Sequence, residues 1–103
     1  MNDCIFCKIA KKEVPSGKIY EDELIFAFLD NHPHNKGHAL IIPKEHHSNI
    51  YGMPDDTLSA VIRIGKRIAV ALKETVEAQG TNLIMNNEAP AGQVVFHSHM
   101  HII

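Results

Sequence analysis

With 103 residues, the chain has room for one domain around one core and too little for two. Its charges are mixed and sum to −2, which argues against duplex nucleic acid, whose partners carry a clustered basic face, and against an acidic interaction tail. No apolar run nears the roughly 20 residues of a membrane span. The opening Met1-Asn2-Asp3-Cys4 lacks the basic-then-apolar order of a secretory leader. A cytoplasmic protein that acts on neither a nucleic-acid polymer nor a membrane is expected.

Residues 4–11 read as a short helix or turn that ends before Pro15, with Phe6 and Ile9 as buried candidates. Residues 18–21 and 24–29 are two extended runs split by the polar Glu21-Asp22-Glu23, the pattern of a hairpin. Residues 30–37 form a loop rich in turn formers (Asn31, Pro33, Asn35, Gly37), and 38–42 are a compact apolar strand stopped by Pro43. Pro54-Asp55-Asp56 then opens a helix, because a carboxylate near the first turn meets unpaired amides and the positive helix end. Leu58, Val61, Ile62, Ile68, Ala69, Leu72 and Val76 recur at helical spacing on one face, Arg63 and Arg67 lie opposite, Lys66 and Lys73 flank the stripe, and Gly80 is a stop. This helix is core and carries no chemistry. Residues 81–85 read as a strand, 86–93 as a loop holding Pro90 and Gly92, and 94–103 as the last strand. Strands, one long helix and further strands make an α+β domain over residues 1–103: a mainly antiparallel sheet of about five strands, with a short N-terminal helix besides the long one.

Histidine is the compositional anomaly, with eight residues at positions 32, 34, 38, 46, 47, 97, 99 and 101. His32, His34 and His47 read as solvated loop residues. The closing run His97-Ser98-His99-Met100-His101-Ile102-Ile103 differs, because alternation along a strand puts its three imidazoles on one face together with Val95. Phe96, Ser98, Met100 and Ile102 then point to the other face, toward the core. Three imidazoles in a row suit simple burial badly, since each has a donor and an acceptor to satisfy. They could hold a catalytic metal that activates water, or one of them could be a nucleophile whose neighbours manage charge. The small-residue loop Ala89-Pro90-Ala91-Gly92-Gln93 leading into the strand favours the nucleophile, because exposed backbone amides there can hold anionic oxygens. Cys4 and Cys7 form the one C-x-x-C. This spacing suits half of a zinc site, a redox pair or two inert thiols; the redox reading wants a preceding strand, and only three residues precede Cys4.

The closing motif resembles the signature of the histidine-triad (HIT) nucleotide hydrolases and transferases, three histidines alternating with apolar residues. The likeness extends to Cys4-Ile5-Phe6-Cys7-Lys8-Ile9, to Tyr20-Glu21-Asp22 and Phe28-Leu29-Asp30, to Gly37-His38-Ala39-Leu40-Ile41-Ile42-Pro43-Lys44, to Asn86 and to Ala91-Gly92-Gln93. The resemblance implies a HIT-like fold and attack by His99 on the α-phosphate of a purine nucleotide conjugate, through a nucleotidyl-histidine that water resolves. It implies that His101 and His38 balance charge on the transferring group, that Asn86 and the Gly92-Gln93 backbone meet phosphate oxygens or the leaving group, and that Asp30 holds the ribose hydroxyls. It further implies a structural zinc on Cys4, Cys7, His46 and His97, with His47 as the competitor for His46, and a homodimer. Two positions depart from the pattern. Ser98 stands at an apolar position, and Val94 replaces a serine that many nucleoside phosphoramidases carry, which weakens the expectation of phosphoramidate substrates. Family members generally continue past the signature through a segment that shapes the pocket and the dimer contact, whereas this sequence stops at Ile103. A nucleotide-binding zinc module without turnover, and a hydrolase with its metal on the triad itself, are the other readings.

Overall fold

The computed structural model describes residues 4–30, 37–75 and 79–103. His32, His34, the turn formers of the loop after Asp30, and Val76 lie outside the described residues. Helix α1 (Ile5–Ala10) precedes strands β1 (Gly17–Glu21), β2 (Ile25–Leu29) and β3 (Ala39–Pro43); helix α2 (Asp55–Thr75) follows, then β4 (Leu83–Met85) and β5 (Met100–Ile102). The strands form one sheet in the order β1-β2-β3-β5-β4, antiparallel throughout, so β5 inserts between β3 and β4. Among the described residues the chain adopts the expected α+β architecture, with a five-stranded sheet, one long helix and a short N-terminal one.

Period-two alternation on β2 and β3 serves two cores, one on each face of the sheet. Ile25, Ala27, Ala39 and Ile41 join Met100 and Ile102 under Val61, Ile64 and Ile68 of α2. Phe26, Phe28, Leu40 and Ile42 pack instead with Phe6, Ile9 and Ala10 of α1. The inner strands are therefore apolar on both sides, which explains the unbroken run in β3. His101 stands opposite Leu40 in the β3–β5 register, so the histidine face belongs to the α1 side.

Two expectations need correction. Ile62 is half exposed, and the buried stripe of α2 is Thr57, Ala60, Val61, Ile64, Gly65 and Ile68. Gly65 permits that burial: a Cβ there would come within 2.8 Å of Met100 Cε and 3.1 Å of Leu83 Cδ2. The last strand covers three residues, not ten. Its pairing with β3 ends at Ile41↔Met100, and Pro43, lacking an N–H, has no donor with which to extend the ladder. Residues 95–97 bend instead, which leaves Phe96 half exposed rather than in the core. Outside the ladder, Ser98 N–H donates to the His47 carbonyl at 2.6 Å.

Candidate active site and metal centre

Helix α1 carries both cysteines, and Cys4 caps it, its Sγ accepting the Cys7 amide at 3.5 Å. The turn after β3 brings His46 to them, with Nδ1 3.3 Å from Cys7 Sγ. His97 Nδ1 lies 3.3 Å from Cys4 Sγ and 3.4 Å from Cys7 Sγ. All four donor atoms fall within 4.8 Å of one another. Zinc bonds of about 2.3 Å to sulfur and 2.0–2.1 Å to nitrogen give a tetrahedral S···N edge of roughly 3.5 Å, close to these contacts. The ring of His97 is set for the task. Its Nε2–H donates to the Pro43 carbonyl at 2.8 Å, so Nδ1, facing the thiols, keeps its lone pair. Burial drives its pKa down to about 4 and pushes the Cys4 thiol up, so a metal would meet a neutral imidazole and displace thiol protons. The four residues fit zinc, and among the two neighbouring histidines it is His46 that faces the set. His47 is half-buried, not solvated, and its Nε2 is buried without a hydrogen-bond partner.

One residue along the same face, His99 is 4% exposed. Its Nδ1–H donates to the His97 carbonyl at 2.8 Å, which leaves Nε2 unprotonated. Desolvation lowers its pKa, against the opposing pull of the His97 carbonyl and of Asp30. The Phe6 ring stands edge-on to it, with centroids 5.0 Å apart. His101 follows at a ring separation of 4.9 Å, and its Nδ1 meets His38 Nε2 at 3.0 Å. Asp30 Oδ2 lies 3.4 Å from the same His38 nitrogen. Asp30, His38 and His101 could also be read as a cation site, since their ligand atoms lie close together. The His38 and His101 ring centroids, however, are 5.2 Å apart across the 3.0 Å N···N contact, so the two nitrogens meet nearly head-on, as in a hydrogen bond rather than around a shared ion. The triad thus divides three ways, toward thiols, a carbonyl and an imidazole, and does not converge on one metal.

These groups border a cavity of about 430 Å³. Asp30, Asn86, Gly92, His99 and His101 line its polar side, and Ile5, Phe6, Ile9, Phe28 and Leu40 its apolar side. The apolar wall escaped the sequence reading as a site, although Ile5, Phe6 and Ile9 at helical spacing beside the cysteines were the signal for it. His38 is buried behind His101 and Asp30 and does not itself line the cavity.

The loop before the triad behaves differently from expectation. Glu88 takes φ 74° and Gly92 φ 103°, and the turn closes on itself, with the amides of Ala91, Gly92 and Gln93 bonded to Glu88 and Ala89 carbonyls. They are therefore not available to an anion. The Gln93 side chain is also occupied: Oε1 accepts the Glu88 amide, and Nε2 donates to the carbonyls of Ser48 and Val95. Gln93 holds the loop and does not line the cavity. Gly92 leaves space beside the Asn86 side chain, which a Cβ would approach to 3.7 Å. A residue the sequence did not flag, Asn87, ties the loop down by accepting the Ile50 amide at 2.8 Å.

The HIT domain family matches this chain over residues 11–103. The adenosine 5′-monophosphoramidase of Candida albicans is 43% identical to it, over 97% of this chain and 68% of that protein. The adenylylsulfatase of Arabidopsis thaliana is 42% identical, over 99% of this chain and 52% of that longer protein. A zinc-bound histidine-triad family protein from Mycobacterium smegmatis superposes with a TM-score of 0.94 at 38% identity, over 98% of this chain and 73% of that one.

Proposed function

The chain belongs to the HIT domain family, and from that premise we propose that it is a hydrolase or transferase cleaving nucleotide conjugates at the α-phosphate, with His99 as nucleophile. The observation that carries this reading is the single bond His99 Nδ1–H to His97 O, which leaves Nε2 unprotonated in a ring lining the cavity. In the first step Nε2 forms a bond to phosphorus as the bond to the leaving group breaks. Water then displaces the histidine, and the nucleoside monophosphate and one proton are released. His101, backed by His38, supplies positive character beside the transferring oxygens. Asp30 suits the ribose diol, and the apolar wall of Phe6, Phe28 and Leu40 suits the face of a base. Asn86 offers an amide to a phosphate oxygen from the rim.

Adenine nucleotides head the substrate proposal, because two relatives act, by their names, on adenylyl and adenosine monophosphate compounds. Val94, at the cavity mouth, offers no hydroxyl to a departing group. That favours conjugates whose leaving group departs without a proton, such as sulfate, over phosphoramidates. Zinc held by Cys4, Cys7, His46 and His97 would supply a fixed cross-link among α1, the turn after β3 and the triad segment. His99→Ala is expected to lower release of nucleoside monophosphate at least about a thousandfold with zinc content unchanged. Wild-type turnover in that variant refutes the assignment, and binding without turnover in the unmutated protein would make the chain a nucleotide-binding module.

The working form is proposed to be a cytoplasmic homodimer. Both cysteines are thiols, which suits a reducing compartment, and no described helix is long and apolar enough to cross a membrane. Strand β4 lies at the sheet edge with Leu83 and Ile84 both about 40% exposed, an edge that a second copy could extend. Light scattering on the purified protein is expected to give twice the chain mass; a clean monomer rules the dimer out.

A further inference from the structure

The peptide unit joining His97 to Ser98 has both of its polar groups committed. Its carbonyl accepts the Nδ1–H of His99 at 2.8 Å, and its N–H donates to the His47 carbonyl at 2.6 Å. Neither residue belongs to a strand, so no ladder fixes this peptide plane. What holds it are two tethers. The first is the fully buried His97 ring, fastened at Nε2 to the Pro43 carbonyl and at Nδ1 to the two cysteines. The second is His47, the residue after the ligand His46. Both tethers run back to the four-residue thiol and imidazole cluster. Phe6, between the two cysteines on α1, adds a third link by packing edge-on against both His97 and His99, at 6.0 and 5.0 Å.

We propose that the metal centre positions the nucleophile: a metal on Cys4, Cys7, His46 and His97 locks the 97–98 peptide plane, and the carbonyl of that plane selects the His99 tautomer whose Nε2 can attack. His97 is in these terms a positioning residue acting through its own backbone, and the His47 carbonyl is its counterpart on the other side of the plane. The proposal rests on the reading of His99 as nucleophile, but its first readout does not require turnover. Replacing four covalent-strength bonds to one ion by weak thiol contacts leaves the plane free to rock. The His99 proton can then exchange between Nδ1 and Nε2. Losing the hydrogen-bond partner behind a metal-ligating histidine commonly costs about 10–100-fold in metal affinity or activity, and a loss on that scale is expected for the bond behind His99.

The test compares zinc-loaded, cadmium-loaded and metal-free protein, each with ¹⁵N-labelled histidine, by long-range proton–nitrogen spectra, with the His99→Ala variant used to assign the ring. The zinc form is expected to show His99 as a single species protonated at Nδ1. The metal-free form is expected to show averaged nitrogen shifts. The cadmium form, folded but with longer bonds to sulfur, is expected to move the His99 shifts measurably. Turnover of an adenylyl conjugate should fall about tenfold or more in kcat on metal removal, with KM little changed. Identical His99 nitrogen shifts in the zinc and cadmium forms, with the metals verified by mass, overturn the coupling even if the metal-free protein unfolds. A metal-dependent tautomer in a protein that turns over no nucleotide leaves the coupling standing and overturns the catalytic reading instead.

Discussion

His99 combines burial with an unprotonated Nε2 on a ring that lines a cavity. Burial disfavours the imidazolium and is the largest influence on its pKa, which therefore lies below the usual 6.5. A nucleophilic ring must be neutral, so the sign of the pH effect follows. The rate should hold through neutrality and fall on the acid side, with an apparent pKa below 6.5. Measuring kcat/KM from about pH 5 to about pH 8 checks this, and an acid limb centred above the ordinary imidazole value would contradict it. The same residues show what a sequence can and cannot tell about a site. Cys4, Cys7, His97, His99 and His101 stood out as candidates because thiols and imidazoles in short motifs have restrictive chemistry, while the pairing of His97 with the cysteines came from the family resemblance and not from spacing. His46 and His47 were not separable, since both are histidines in one turn. The structure divides them by sending the His46 ring to Cys7 and the His47 carbonyl to Ser98. The Gly92-Gln93 backbone was misjudged because the amides of a small-residue loop are as able to bond the loop's own carbonyls as to meet a ligand, and here they do the former.

The elements followed from pattern wherever one periodicity dominated: the acidic start of α2, the hairpin of β1 and β2, the doubly apolar β3. They were misjudged where a neighbour decides. Strand β5 is short because Pro43 on β3 lacks a donor, a fact about its partner and not about residues 94–99. Ile62 is exposed because α2 turns its glycine to the sheet instead. Glycine inside a helix costs about 1 kcal/mol relative to alanine, and Gly65 offsets that by letting the helix approach Met100 and Leu83. Alanine there meets chiefly the mobile end of Met100 at 2.8 Å, so Gly65→Ala should change stability little. Leucine has nowhere to go. Gly65→Leu should cost about 1–3 kcal/mol and lower Tm by roughly 10 °C, read by thermal unfolding. A leucine variant with unchanged Tm would mean that the helix does not lie as close to β5 as described.

At the scale of the molecule, the site and the fold share their acid sensitivity. His97 sits wholly inside, neutral, with its pKa pushed to about 4 by burial, whereas in the unfolded chain it titrates near 6.5. Its folded value is the lower of the two, so below 6.5 the unfolded state binds the extra proton and stability drains away as pH falls toward about 4. His99 is shifted in the same direction and adds to the same window. Glu21 acts later. Lys44, Lys12 and Lys18 surround its carboxylate, with contacts of 2.7, 3.0 and 3.4 Å, and hold its pKa down to about 2 from 4.5. Its contribution is present above 4.5 and is lost between 4.5 and about 2, and it is small because water and salt screen an exposed cluster. Acid unfolding of the metal-free protein should therefore begin in the imidazole range, before carboxylates protonate. Zinc ligation needs neutral imidazoles and thiolates, so the loaded protein should resist this first loss and then release metal as those groups take up protons. Urea midpoints measured against pH for metal-free, zinc-loaded and Glu21→Gln protein separate the contributions. The expected pattern is a midpoint in the metal-free protein that falls from pH 6.5 downward, with Glu21→Gln lowering the midpoint slightly above pH 4.5 and converging on the unmutated protein as pH falls toward about 2. A metal-free midpoint that stays level until the carboxylate range would show that burying His97 does not set the acid limit of the fold.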